Sequence, residues 1–159
     1  ADIIRSHAKD GYELLTAAHF PKIIADVARE HHGTLPIKYF YNKAMKLSGG
    51  DADIADYSYL GPTPQTKIAA IVMIADASEA ATRALSDRSP ASVERVVRSI
   101  IEERMDLDQF AQCDITIREL TTIKQTLVEA LSGVHHHRVQ YPAIRFNRAR
   151  QAVNEEEKH

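Results

Sequence analysis

The chain has 159 residues, of which 44% are hydrophobic and 26% charged, and its formal net charge is −2. This composition is typical of one soluble globular domain, and the net charge gives no support to a protein that binds nucleic acid or membrane surfaces through bulk charge. The single cysteine, Cys113, excludes an internal disulfide and favours a reducing compartment.

Taken in chain order, the apolar periodicity predicts an all-α domain of about six or seven helices. The six clearest helices are expected over residues 3–18, 21–31, 37–47, 64–85, 91–105 and 116–136. Pro21 separates the first two, because proline disfavours helical backbone in the residue before it, and Gly33 suits the cap of the second. Thr116 and Glu119 match a capping box at the start of the last helix.

Two segments lie outside this helical pattern. Residues 48–64 form a long polar loop, and loops of this length inside compact domains are often functional. Tyr141-Pro142 ends the globular pattern, so the domain is expected over residues 1–142. Residues 143–159 are rich in arginine and then glutamate, which predicts a charged C-terminal tail, either a short docking helix or disordered.

Helical spacing also predicts which side chains face the core. His7 and His31 share faces with apolar residues, and Asp76 continues the apolar stripe of its helix, where a buried carboxylate needs a partner or a metal. The apolar members of these three stripes are Ile3, Leu14, Ile23, Ile24, Val27, Ala28, Ile68, Ile71, Val72 and Ala75. The last two helices are expected to bury Val93, Val96, Val97, Ile100, Ile101, Leu120, Ile123, Leu127, Val128 and Leu131.

The adjacent histidines at the end of the second helix point to a metal site. The backbone leaves the helix directly after His31 and His32, so both imidazoles can be aimed at one point, and imidazole is the commonest ligand for transition metals. With His7 and Asp76, they are interpreted as part of a metal-centred phosphohydrolase site that has no catalytic residue beyond the ligands. Phosphodiester hydrolysis needs an activated water and neutralisation of phosphate charge, and metal ions supply both. The alternative is that each histidine is a hydrogen-bonded, half-buried side chain.

Other polar residues support a site less strongly. Consecutive helical residues point about 100° apart, so His135-His136-His137 is better explained as a polar helix end than as a metal site. Lys67 and Arg83 are candidate phosphate contacts, and Tyr59 is a candidate for stacking on a base. The structural alternatives are a rigid loop leading into a helix for the segment with Lys67, a solvated charge for Arg83 and loop anchoring for Tyr59.

Five motifs together resemble the HD-domain phosphohydrolases. They are Ser6-His7-Ala8-Lys9-Asp10-Gly11, Glu30-His31-His32-Gly33-Thr34, Lys38-Tyr39-Phe40-Tyr41, Gly61-Pro62-Thr63-Pro64-Gln65-Thr66-Lys67 and Ala75-Asp76-Ala77-Ser78-Glu79-Ala80-Ala81-Thr82-Arg83. Within that superfamily, the chain is most similar to the intracellular domain of the seven-transmembrane HD family, the PgpH-type cyclic di-AMP phosphodiesterases. The resemblance spans about residues 3–142.

The resemblance implies a fold, a reaction and a cofactor. It implies an HD-domain-like helical bundle that binds two Fe or Mn ions and hydrolyses cyclic di-AMP to the linear dinucleotide. His7, His31 and His32 match the ligands of one metal, and Asp76 matches a ligand of the second. It also implies a cytoplasmic domain of a multi-pass membrane protein, with a cyclic dinucleotide and not DNA or RNA as its partner.

The sequence departs from the family pattern at one point. The family also needs an earlier histidine and a His-Asp doublet, and no histidine of this chain is followed by aspartate. The resemblance places those residues before Ala1, so the chain is interpreted as the C-terminal two-thirds of the catalytic domain. We therefore expect fewer metals than in the intact domain, an uncertain activity for the fragment, and exposed apolar surface that favours self-association.

Two other kinds of function remain open for this chain. One is a non-catalytic HD-like module that binds a nucleotide or a partner, and the other is a purely structural helical domain. Within the enzyme reading, cyclic di-GMP is an alternative substrate, but the Gly-Tyr-Pro signature that typically marks such enzymes does not occur in the sequence.

Overall fold

The computed structural model describes residues 2–133, which form six α-helices and a short 3-10 helix over Ile54–Tyr57. The α-helices are α1 (Asp2–Ala17), α2 (Lys22–Glu30), α3 (Lys38–Leu47), α4 (Lys67–Arg83), α5 (Pro90–Asp106) and α6 (Ile117–Leu131). Over this range there is no strand, only an isolated bridge between Pro36 and Ser58. The prediction of an all-α helical bundle is confirmed.

The core lies where α4, α5 and α6 pack together. Its buried members are Leu35, Ala70, Met73, Ile74, Val93, Val97, Ile100, Ile101, Phe110 and Leu120. The faces predicted for α5 and α6 are confirmed, since all their apolar residues named from the sequence are either buried or packed against this cluster. The capping box at Thr116 is also present, with Glu119 bonded to the backbone of Thr116.

The face predicted for α4 is wrong. Ala69, Ala70, Met73 and Ile74 are buried, whereas Ile68 and Ile71 are 53% and 42% exposed. Asp76 is exposed as well, so the expectation of a buried carboxylate is contradicted. The physical reason is that α4 is apolar on several sides and has little preference for one face, while its alanines allow the neighbouring helices to approach closely.

Helices α1 and α2 pack against each other, and α2 packs on α4. Small residues lie at the centre of the first contact: Ala8 and Ala25 are buried, and Gly11 faces Ala28. The inward orientation predicted for the larger residues is wrong, because they are exposed. Their exposed fractions are 85% for Ile3, 71% for Leu14, 41% for Ile23 and 45% for Ile24.

Helix α6 ends at Leu131, five residues before the predicted end, because Gly133 adopts a left-handed conformation with φ of 71° that stops the helix. His135-His136-His137, the predicted boundary at residue 142 and the tail over residues 143–159 lie outside the described residues. Among residues 2–133, no helix is long and apolar enough to cross a membrane.

Candidate metal centre

Three imidazole rings from two helices meet at one point. His7 lies in α1, His31 caps the end of α2, and His32 follows it directly. One nitrogen from each ring lies within 4.8 Å of the others, and all three side chains are partly exposed to solvent. The centroid of the His7 ring is 5.5 Å from that of His31 and 4.8 Å from that of His32. The donor set therefore fits a transition-metal ion.

Backbone carbonyls fix two of these rings. His7 Nδ1 lies 2.6 Å from Ile4 O, and His31 Nδ1 lies 2.8 Å from Ala28 O. A carbonyl oxygen only accepts, so we assign the hydrogen to Nδ1 in both rings. This tautomer leaves Nε2 as the nitrogen with a free lone pair, which is the arrangement that metal-ligating histidines commonly have.

The protein environment keeps the third ring neutral. Burial, together with the neighbouring charges of His31, His7 and Arg104, lowers the pKa of His32 to about 3. Neutral imidazole is the form that binds a metal, so His32 needs to release no proton at neutral pH before it can act as a ligand.

The long loop covers one side of the histidine pair. The Tyr59 ring stacks on His32 with a centroid distance of 4.3 Å and an interplanar angle of 13°. The loop is held by hydrogen bonds from Tyr59 N to Leu35 O at 3.0 Å and from Arg5 Nε to Ser58 O at 2.9 Å. Burial raises the pKa of the Tyr59 hydroxyl, and the charge of Asp76 raises it further. The loop thus joins α1 and the segment after α2 around the site.

Asp76 does not belong to the cluster of three. Within the described residues, the group of mutually close metal-binding atoms consists of the three histidines alone. The charge of Asp76 nevertheless acts on both Tyr59 and Arg104, so this carboxylate lies on the same side of the domain. Its assignment to a second metal stays a prediction.

The two cations named from the sequence are paired with carboxylates. Lys67 Nζ lies 2.8 Å from Glu119 Oε1, which joins the start of α4 to the start of α6. Arg83 Nη2 lies 2.7 Å from Glu79 Oε1, one turn earlier in α4. Both contacts are compatible with structural roles, and substrate binding by Lys67 and Arg83 stays a prediction.

Sequence reasoning missed three buried polar residues around the site. Glu30 is 5% exposed and accepts a hydrogen bond from Gln65 N at 2.9 Å, Arg104 is 9% exposed and pairs with Glu103, and Gln109 is 3% exposed. Arg104 could have been found, because it continues the buried stripe of α5 at helical spacing. Gln109 carried no such signal, since it lies in a connector without periodicity.

Known proteins resemble this chain in both sequence and structure. The HD domain family matches residues 1–81. Over 141 residues the chain is 48% identical to the cyclic-di-AMP phosphodiesterase PgpH of Listeria monocytogenes serotype 1/2a (strain 10403S) and 43% identical to the protein of the same name from Bacillus subtilis (strain 168). Each match covers 89% of this chain and 20% of the relative, so the chain spans a fifth of their length.

The crystal structure of the L. monocytogenes PgpH HD domain in complex with cyclic-di-AMP matches with a TM-score of 0.81 and 46% identity, covering 88% of this chain and 65% of that one.

Proposed function

Because this chain belongs to the HD domain family, we propose that it is part of a metal-dependent phosphodiesterase that hydrolyses a cyclic dinucleotide. The favoured reaction opens cyclic di-AMP to the linear dinucleotide. The observation that carries the proposal is the convergence of His7, His31 and His32, whose ligand atoms lie within 4.8 Å of one another. The similarity to two cyclic-di-AMP phosphodiesterases supports the substrate.

The three histidines would hold one metal ion, for which Mn or Fe is proposed. When bound, a metal in this position activates water and neutralises charge on phosphate oxygens. Asp76 is proposed as a ligand of a second ion. In this site the carbonyl oxygens of Ile4 and Ala28 would orient the rings of His7 and His31, and burial would keep His32 neutral.

Tyr59, Lys67 and Arg83 are proposed to bind the substrate. Tyr59 is the best supported of the three, because its ring stacks on His32, one of the proposed metal ligands. Lys67 and Arg83 would each have to share or exchange a carboxylate partner to contact phosphate. The proposed partner is a cyclic dinucleotide and not DNA or RNA, which the similarity to cyclic-di-AMP phosphodiesterases supports.

The cellular location of this domain is proposed from its family resemblance. We propose a cytoplasmic domain of a membrane-anchored protein, as is implied by the resemblance to the seven-transmembrane HD family. Exposed apolar side chains on α1 and α4, such as Ile3 and Ile68, support self-association of the chain by itself.

A non-catalytic HD-like module is the second candidate, because among the described residues the three histidines alone form a group of mutually close metal-binding atoms and Asp76 lies outside it. Such a module would bind cyclic di-AMP without cleaving it. The two candidates differ in one measurement, the appearance of the linear dinucleotide.

The first experiment measures metal content per chain after purification with Mn or Fe supplied. One ion per chain in the wild type and none in His31→Ala would support the three-histidine site, and His19→Asn serves as a control that removes a histidine outside the cluster. Cyclic di-AMP is then added, and the linear product is quantified by chromatography. Metal without product would favour the non-catalytic module, and equal metal content in wild type and His31→Ala would refute the site.

A further inference from the structure

A buried glutamine from a distant part of the chain contacts the turn behind the histidine pair. Gln109 is 3% exposed and lies 75 residues after Thr34. Its Oε1 accepts a hydrogen bond from Thr34 N at 3.1 Å, and its Nε2 donates to Thr34 Oγ1 at 3.0 Å and to Leu107 O at 2.8 Å. The carboxamide thus makes three hydrogen bonds, two of them to a residue that is two positions from His32.

The turn itself is shaped to receive this side chain. Gly33 has a left-handed φ of 53°, and its N–H donates to Glu30 O at 2.9 Å. A Cβ at Gly33 would clash with Gln109 Oε1 and would lie 3.0 Å from Met73 Cε. Glycine therefore meets two requirements here: the backbone conformation, and the close approach of the Gln109 amide.

The position of Gln109 is fixed by the end of α5. Its backbone N–H donates to Arg104 O at 2.9 Å, and Asp108 just before it has a left-handed φ of 53°. The Gln109 side chain is therefore presented from the turn that directly follows α5, and this turn is hydrogen-bonded to the last turn of that helix. This makes it a rigid support for the turn at Gly33.

We propose that Gln109 is a positioning residue for the metal centre. By holding Thr34 and packing on Gly33, it fixes the path of the backbone directly after His31 and His32, and so keeps both rings converged with His7. Gln109 is not itself a ligand, because Oε1 and Nε2 are both used by the backbone and Thr34. The inference rests on the proposed metal-binding function.

The experiment titrates Mn²⁺ alone into metal-free protein and measures the dissociation constant calorimetrically. The variants are Gln109→Leu, which removes the three hydrogen bonds, and Thr34→Val, which removes only the hydroxyl acceptor. Val97→Ala is the matched control, because Val97 is fully buried in α5 and belongs to the core cluster. Each protein is shown by circular dichroism to be folded at the temperature of the titration.

We expect Gln109→Leu to weaken Mn²⁺ binding roughly tenfold or more, as for other residues that orient metal ligands. Thr34→Val should weaken it less, and Val97→Ala should lower the melting temperature with less than about a twofold change in Mn²⁺ affinity. Equal weakening in Gln109→Leu and Val97→Ala would overturn the proposal, because general destabilisation would then explain both.

The failure of this inference is distinguishable from failure of the metal site. Absence of Mn²⁺ binding to the wild type would refute the proposed function and with it the positioning role. Wild-type binding with unchanged affinity in Gln109→Leu would overturn the positioning role alone. If Gln109→Leu does not fold, Thr34→Val decides, and an affinity equal to that of the wild type overturns the proposal.

Discussion

Acidification should destabilise the metal-free protein through His32. Burial lowers the pKa of this imidazole from 6.5 to about 3 in the folded chain. Between these two values the unfolded state binds a proton that the folded state does not, so protonation favours unfolding. The contribution to stability is present above pH 6.5 and is lost as the pH falls through the window toward 3.

The magnitude follows from the size of that pKa difference. A difference of about 3.5 corresponds to a ceiling of about 5 kcal/mol, at 1.36 kcal/mol for each pKa unit. The ring is partly exposed, so solvent screens the neighbouring charges and part of the burial penalty is relieved. We therefore expect about 2 kcal/mol of unfolding free energy to be lost across the window, which is a large share of the stability of a small domain.

The assay is urea unfolding followed by circular dichroism in EDTA, at several pH values from 4 to 8. His32→Phe keeps an aromatic ring against Tyr59 but cannot titrate, so its unfolding free energy should fall less with pH than that of the wild type. His19→Asn, which removes a histidine outside the cluster, should retain the wild-type slope. The reasoning would be refuted by identical pH slopes in the wild type and His32→Phe, since other groups would then account for all of the acid sensitivity.

Three further substitutions test the core, a helix cap and the site. Met73→Ala should lower the free energy of unfolding in urea by about 3 kcal/mol, because Met73 is only 1% exposed and its removal leaves a cavity. Thr116→Ala should lower it by about 1 kcal/mol in the same assay, because the N-cap hydrogen bond of α6 is lost. Tyr59→Leu should keep Mn content unchanged but weaken cyclic di-AMP binding roughly 5- to 150-fold in calorimetry, because one stacking partner is worth about 1–3 kcal/mol.

These three expectations have separate controls. Ile68→Ala, at a 53% exposed position of α4, should cost much less than Met73→Ala, and equal losses would contradict the observed helix face. Thr116→Ser keeps the capping hydroxyl and should retain most of the stability. Loss of metal in Tyr59→Leu would mean that Tyr59 supports His32 and would argue against a separate substrate contact.

The positions of the helices were predictable from the sequence. Which face of a helix is buried was predictable only where apolar residues recur at helical spacing and the other positions are polar or charged. In α5, buried valines and isoleucines recur at helical spacing between charged residues, and every predicted inward position was confirmed. In α4, apolar residues surround most of the helix, so periodicity could not distinguish the face of Ile68 from that of Met73. Tertiary packing selects the face of Ala70, Met73 and Ile74, which joins the core cluster with the buried residues of α5.

The site was predictable to the extent that its ligands are local. His31 and His32 are adjacent in sequence and end a helix, so their convergence follows from the chain itself. The cluster with His7 is observed, but the stripe that His7 was predicted to share with Ile3 and Leu14 is exposed, so helical phase does not explain its position. Asp76 was placed by the phase of α4 and is exposed, and Gln109 belongs to a tertiary contact that no local pattern reveals.

The histidine pair and Gln109, which holds the turn after it, lie far apart in the sequence, and this affects how the site forms during translation. The turn after His32 receives its hydrogen-bond partner from a residue 75 positions after Thr34. Translation at roughly 5–20 residues per second delays that partner by about 4–15 s. During this interval the nascent chain carries both imidazoles without the contact that orders them. We therefore expect metal loading to follow release of α5 from the ribosome, which couples acquisition of the cofactor to completion of the core.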